Sequence, residues 1–233
     1  MNDQISAATE RLLSTVDALA DDAWQAPSVC VGWSRAQVIA HVALNAEALG
    51  GAVRGLLDGN PTTMYPSLEK RATDIDALGA APPSEIRECL RTSAALFADA
   101  VAGLGSLPED ATFERTPGGI VMPAAGVPAL RLREVEIHHA DLDAGYGYSD
   151  WPASTAVELL DRDAGGHDGA GFVAHATDLD RDWAFGSPHG GAPVVSGPAA
   201  ALAWWATGRP LPSRGVDVVL SSSTGTLPTM EGR

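Results

Sequence analysis

Apolar positions recur at helical spacing through the first part of this chain and then give way to shorter, mixed segments. Ile5, Leu12, Val16 and Leu19 predict a first helix, with Asp21-Asp22 just past its end. After a loop carrying Pro27 and Cys30, Ser34 and Gln37 have the spacing of a capping box, flanked by Trp33 and Val38 as a hydrophobic staple. The helix they open is predicted over Arg35–Leu57 and stops at Asp58-Gly59-Asn60-Pro61. A third helix fits residues 84–104, between Pro82-Pro83 and Gly105. A polar segment with Pro117-Gly118-Gly119 leads to a fourth over residues 127–144, ended by Gly145. Four helices, with longer connections after the second and the third, predict a four-helix bundle.

From Trp151 the pattern changes. A helix is expected over residues 154–163. Phe172–Ala176, 182–185 and 194–196 follow as short strands, then an Ala/Trp-rich helix over 198–207 and an apolar β-branched strand over 216–220. The expected fold class is therefore α+β, with a helical bundle over residues 1–149 and a smaller α+β domain over 150–233.

Polar residues interrupt the apolar stripe of the fourth helix where core is expected. With about 100° per residue, Leu130 and Ile137 mark one edge of the stripe, and Val135 and Leu142 the other. Glu134, His138 and Asp141 fall between, while Arg133, Glu136, His139 and Asp143 form the opposite, solvated face, with Leu132 its one apolar member. An unpaired charge in the interior is unfavourable by several kcal/mol, about 3–5 when a partner is missing, so the stripe needs a compensating group. A divalent cation serves, because Glu134 and His138 at i, i+4 reach one ion from one helix face. On the second helix Val38, Val42, Leu49, Val53 and Leu56 form the buried stripe, and His41 and Asn45 border it. His41 can thus meet Glu134 and His138 across the bundle. Two imidazoles and a carboxylate leave a fourth tetrahedral position open, the pattern of a catalytic zinc site, although nickel, cobalt and iron also suit it. The plainer alternatives are a hydrogen-bonded core histidine for His41 and a buried ion pair for Glu134 and His138. His139 reads as a surface residue, and His167, His175 and His189 as structural or exposed.

Composition narrows the partners. The chain has 233 residues, 45% hydrophobic and 19% charged, as in ordinary globular proteins. With 15 basic against 30 acidic residues its net charge is −15, which disfavours nucleic acid and anionic membranes as partners. No apolar run is long enough for a membrane span, and residues 1–10 lack a secretory layout. Cys30 and Cys89 give no disulfide framework and read as small buried residues, so a cytoplasmic monomer acting on a small molecule is expected. Lys70 as the single lysine, with abundant Ala and Gly, suggests a high-GC genome such as an actinobacterial one.

Gly32-Trp33-Ser34-Arg35, followed by Ile39-Ala40-His41-Val42-Ala43 and Asn45-Ala46, resembles a segment of the mycothiol-dependent maleylpyruvate isomerases. Arg133-Glu134-Val135-Glu136-Ile137-His138 resembles the run on their fourth helix, with Glu136 where the family tends to have Trp. Met64-Tyr65, Gly208-Arg209 and Ser222-Ser223-Thr224-Gly225 match in the same order, so the resemblance spans most of the chain. It implies a DinB-like bundle with zinc on His41, Glu134 and His138, mycothiol as thiol cosubstrate, and an essential arginine mapping onto Arg209. Arg209 would clamp a substrate carboxylate or stabilise an enolate, Asn45 and Asp141 would orient the ligands, and Tyr65 would stand at the pocket mouth. The implied reaction is thiol-assisted cis–trans isomerisation of maleylpyruvate to fumarylpyruvate. The alternatives are a mycothiol S-transferase using the same site, and a non-catalytic carrier holding an apolar ligand beside Trp183, Trp204 and Trp205.

Overall fold

The computed structural model describes residues 1–211 and 219–230, and the chain divides into two compact units, Met1–Tyr146 and Gly147–Arg233. The first unit holds five α-helices: α1 (Asn2–Ala18), α2 (Arg35–Leu57), α3 (Leu68–Gly79), α4 (Pro83–Ala102) and α5 (Val127–Asp141). A hairpin of β1 (Thr112–Glu114) and β2 (Val121–Pro123) fills the segment expected to be a plain connection. Helix α1 packs on α4 and α5, and α2 packs on the same two, so these four close into a ring. Leu12, Val16, Ile39, Leu49, Val53, Leu90, Phe97 and Val135 lie in its shared core. Each such side chain contributes roughly 1.5–3 kcal/mol when fully buried.

Helix α2 begins as its sequence predicts: Ser34 and Gln37 make both hydrogen bonds of the capping box. Gln37 also donates to Asp76 on α3, a helix the apolar pattern did not reveal. Only Ile75 and Gly79 of α3 are buried, too little to leave a periodic signal. Its start is set instead by Ser67, whose hydroxyl accepts from the Lys70 amide. Gly79 is required where α3 meets α2, because a Cβ there would come within 2.8 Å of Gln37 Cγ.

Helix α5 differs from its expectation in two ways. It ends at Asp141, three residues early, as Asp143 and Gly145 adopt positive φ. More important, Glu136 and His139 are not on a solvated face: both are 1% exposed. Helix α1 covers that side, which also explains Leu132, and Arg11 and Thr15 supply the polar partners. The wheel ranked faces of α5 correctly by polarity but had no means of showing that both were covered.

The second unit contains α6 (Ala153–Gly165), β3 (Phe172–Ala176), β4 (Arg181–Phe185), β5 (Val194–Gly197), α7 (Ala199–Ala206) and β6 (Ser221–Ser222). The sheet order is β4-β3-β5-β6, with β3 parallel to β5 and the other pairs antiparallel. Phe172, Ala174 and Ala176 face inward on β3 while Val173 and His175 alternate outward. Phe172 stacks on Phe185 with centroids 4.6 Å apart. The strand expected over 216–220 lies largely outside the described residues; the short β6 follows it. No helix among the described residues is long and apolar enough to cross a membrane.

Candidate metal centre

Two clamps hold α2 and α5 in register. Arg35, in the first turn of α2, donates from Nε to the Leu142 carbonyl and from Nη2 to that of Asp143, both at 2.6 Å. The Val29 amide, in the loop before α2, donates to the Asp141 carbonyl at 2.9 Å. These bonds satisfy carbonyls left open where α5 ends. They also place His41, two turns into α2, opposite Glu134 and His138.

Glu134 Oε2 lies 2.9 Å from His41 Nε2 and 3.5 Å from His138 Nε2. The two imidazoles meet edge to face with centroids 4.7 Å apart. One ligand atom from each of the three residues lies within 4.8 Å of the other two, so the group could hold a metal ion. The centre sits nearer the lip of the bundle than a dry interior: the side chain of His41 is 6% exposed, His138 15% and Glu134 23%. That opening is what a catalytic site needs and a sealed structural site lacks.

His138 is oriented from behind. Its Nδ1 donates to Asp141 Oδ2 at 2.8 Å, leaving Nε2 turned toward Glu134. The Cys30 thiol donates to the same Asp141 oxygen at 3.1 Å. Cys30, His138 and Asp141 form a second group with metal-ligand spacing. Their short contacts are those of hydrogen bonds already made, and Asp141, wholly buried, leaves no open position there. Asn45 accepts at 3.0 Å from Arg131, which also donates to the Val42 carbonyl at 2.8 Å. Its hydrogen bonds thus run to Arg131, and to Tyr65, rather than to His41.

Burial pushes the His41 imidazole down to about 4, the Glu134 contact only partly opposing it. Burial works against the ionised Glu134 too, but hydrogen bonds from His138 and His41 outweigh it and hold the carboxyl well below its usual range. For His138, burial is overcome by its bonds to Asp141, Cys30 and Glu134, which keep the ring protonated well above the usual histidine range. Without a cation the cluster is therefore a neutral imidazole, a carboxylate and an imidazolium.

Two basic residues at the centre were missed from sequence. Arg131 lies within the predicted stripe of α5, at the helical position between Glu134 and Val135 on the wheel, and is 1% exposed; burial lowers it to about 10. Arg71 comes from α3 and had no signal at all. Its Nη2 donates to His41 Nδ1 at 3.1 Å, and its guanidinium lies 5.6 Å from the Tyr65 ring centroid. Tyr65 itself is 7% exposed, fixed by its amide bond to the Arg115 carbonyl beyond β1. Arg209 belongs to the second unit, just after α7, with its guanidinium 5.6 Å from the Trp204 ring centroid. Trp183, Trp204 and Trp205 are all buried.

The fold has counterparts among known proteins. Two solved structures of a mycothiol-dependent maleylpyruvate isomerase, one of them an H52A mutant, each superpose with a TM-score of 0.85 at 25% sequence identity. Each alignment covers 100% of this chain and 95% of the other. No curated protein sequence matches. Residues 5–143, more than half of the chain, match the mycothiol maleylpyruvate isomerase N-terminal domain. The resemblance carried by the His41 and Glu134/His138 segments is thereby borne out: this α+β chain belongs to the mycothiol maleylpyruvate isomerase family, a family of enzymes.

Proposed function

We propose that the chain catalyses the mycothiol-dependent isomerisation of maleylpyruvate to fumarylpyruvate, with a divalent ion, zinc in the first place, on His41, Glu134 and His138. The observation that carries this reading is the convergence of their ligand atoms within 4.8 Å at a partly open lip. The donor set fits such an ion: two imidazole nitrogens and a carboxylate leave one tetrahedral position for a thiol. A bound cation would keep that thiol ionised at neutral pH. The thiol supplies the nucleophile that lets a conjugated double bond become single, rotate and re-form.

The protein's own part is positional and electrostatic. His41 and His138 aim Nε2 at one point; Asp141 fixes the tautomer of His138, and Cys30 in turn restrains Asp141. Glu134 brings the negative charge that a dication requires. Asn45 and Tyr65 support this wall through Arg131 and Arg71. Arg209 is assigned to a substrate carboxylate or the enolate that forms on addition, where a planar guanidinium binds two oxygens at once. The enzyme would work on its small-molecule substrate in the cytoplasm as a monomer, the net charge of −15 disfavouring nucleic acid and anionic membranes as partners.

Purified protein given mycothiol and maleylpyruvate should release fumarylpyruvate, with one equivalent of metal bound. Absence of the trans product, with a stable thiol conjugate accumulating instead, would replace isomerisation by S-transfer at the same site.

A further inference from the structure

Arg71 stands in an unusual setting. Its Nη2 donates to a ring nitrogen of His41, and its Nε is buried with no hydrogen-bond partner. Among the described residues it forms no ion pair with a carboxylate. A guanidinium half-buried against Tyr65, with one donor unfilled and no counter-charge, is energetically incomplete. The same side chain lines a cavity of about 320 Å³ with Leu44, Ala48, Met64 and Tyr65. Of the acidic residues on that lining, Glu47 is exposed and Asp74 is taken by Lys70.

Arg71 also becomes less satisfied when His41 is used as a ligand. An imidazole that lends Nε2 to a cation carries its proton on Nδ1, so it no longer accepts from Arg71. The Nη2 end of the guanidinium is then released from His41, next to the position where the proposed reaction takes place. A carboxylate is the ligand that fills such a fork, accepting two parallel charge-assisted hydrogen bonds.

We propose that Arg71 is a specificity-determining residue, holding a carboxylate of the substrate beside His41 and so selecting small dicarboxylate acceptors. This deepens the isomerase reading and rests on it for the identity of the substrate. It gives a dianionic substrate a cation in the first unit.

The test uses metal-loaded protein and maleate as probe, with dimethyl maleate as the uncharged control. Calorimetric titration of wild type should show maleate binding and little binding of the diester. Arg71→Gln should weaken maleate about tenfold to a hundredfold, leave the diester unchanged and retain the metal. Arg71→Lys, which keeps the charge and tests against a folding defect, should recover part of the affinity. In turnover, Arg71→Gln should raise KM for maleylpyruvate more than it lowers kcat. Equal maleate binding in wild type and Arg71→Gln would overturn the proposal, as would loss of metal in Arg71→Gln, which would make the residue a support for His41. If maleate binding depends on Arg71 while wild type turns over no maleylpyruvate, the isomerase reading fails and the carboxylate site stands.

Discussion

The two sides of α5 carry the same kinds of residue and reach opposite outcomes. Toward α1, Glu136 receives a hydrogen bond on each oxygen, from Arg11 Nη2 and from the Tyr146 hydroxyl, both at 2.7 Å. His139 stacks on Tyr146 with centroids 3.7 Å apart and meets the Thr15 hydroxyl at 2.7 Å. Carboxylate charge is matched by arginine and each oxygen accepts a hydrogen bond, so this side is closed. Toward α2, one oxygen of Glu134 is shared between two imidazoles, and the side chain is 23% exposed against 1% for Glu136. A buried carboxylate with its own arginine is an element of stability; one that shares its oxygen with ring nitrogens at an opening is a place for a cation.

The largest effect expected from this contrast is on the open side. His138→Ala or His41→Ala should abolish stoichiometric metal and lower activity by more than about a thousandfold, several kcal/mol of transition-state stabilisation. Metal analysis with turnover measures both; a metal-free variant that stays fully active would remove the distinction between the two sides. On the closed side, Glu136→Ala strands Arg11 and Tyr146 and should destabilise the fold by roughly 3 kcal/mol. Thermal melts should show that loss, while the remaining folded protein binds metal normally.

The pH response of metal-free protein sharpens the comparison further. The His41 ring falls from an ordinary 6.5 to about 4 in the folded chain. Between those values the unfolded chain binds the extra proton, so stability declines as pH drops through that window and is fully present above it. At about 1.4 kcal/mol per unit, the decline is on the order of 3 kcal/mol, and His41→Gln should flatten it. Glu134, held low, adds stability above its unfolded value that is lost as pH falls through its folded one. His138, held high, acts in the opposite sense: its share is complete below the unfolded value and disappears as pH rises through the folded one. Because the imidazolium of His138 must lose its proton to bind an ion, metal affinity should rise with pH. The smallest effect belongs to the residue behind the ligand. Asp141→Asn should weaken metal binding about 10–100-fold, measured by competition with a chelator, without unfolding the bundle.

Much of the near structure was legible in the chain because its causes are local. Ser34 and Gln37 cap α2 through atoms three residues apart, β3 alternates inward and outward as its sequence alternates, and Glu134 and His138 share a face because they are four residues apart. Even the pairing of His41 with them followed from two wheels placed side by side. What the chain alone did not determine was which surfaces would be covered. Glu136 and His139 are buried because α1 happens to lie across them, and no periodicity within α5 encodes that. Arg71 reaches His41 from a helix with almost no apolar face, so its place at the centre depends on contacts thirty residues away in sequence. Short-range backbone and side-chain preferences write the elements; burial, charge matching and the opening of the site arise only when distant elements exclude water from one another.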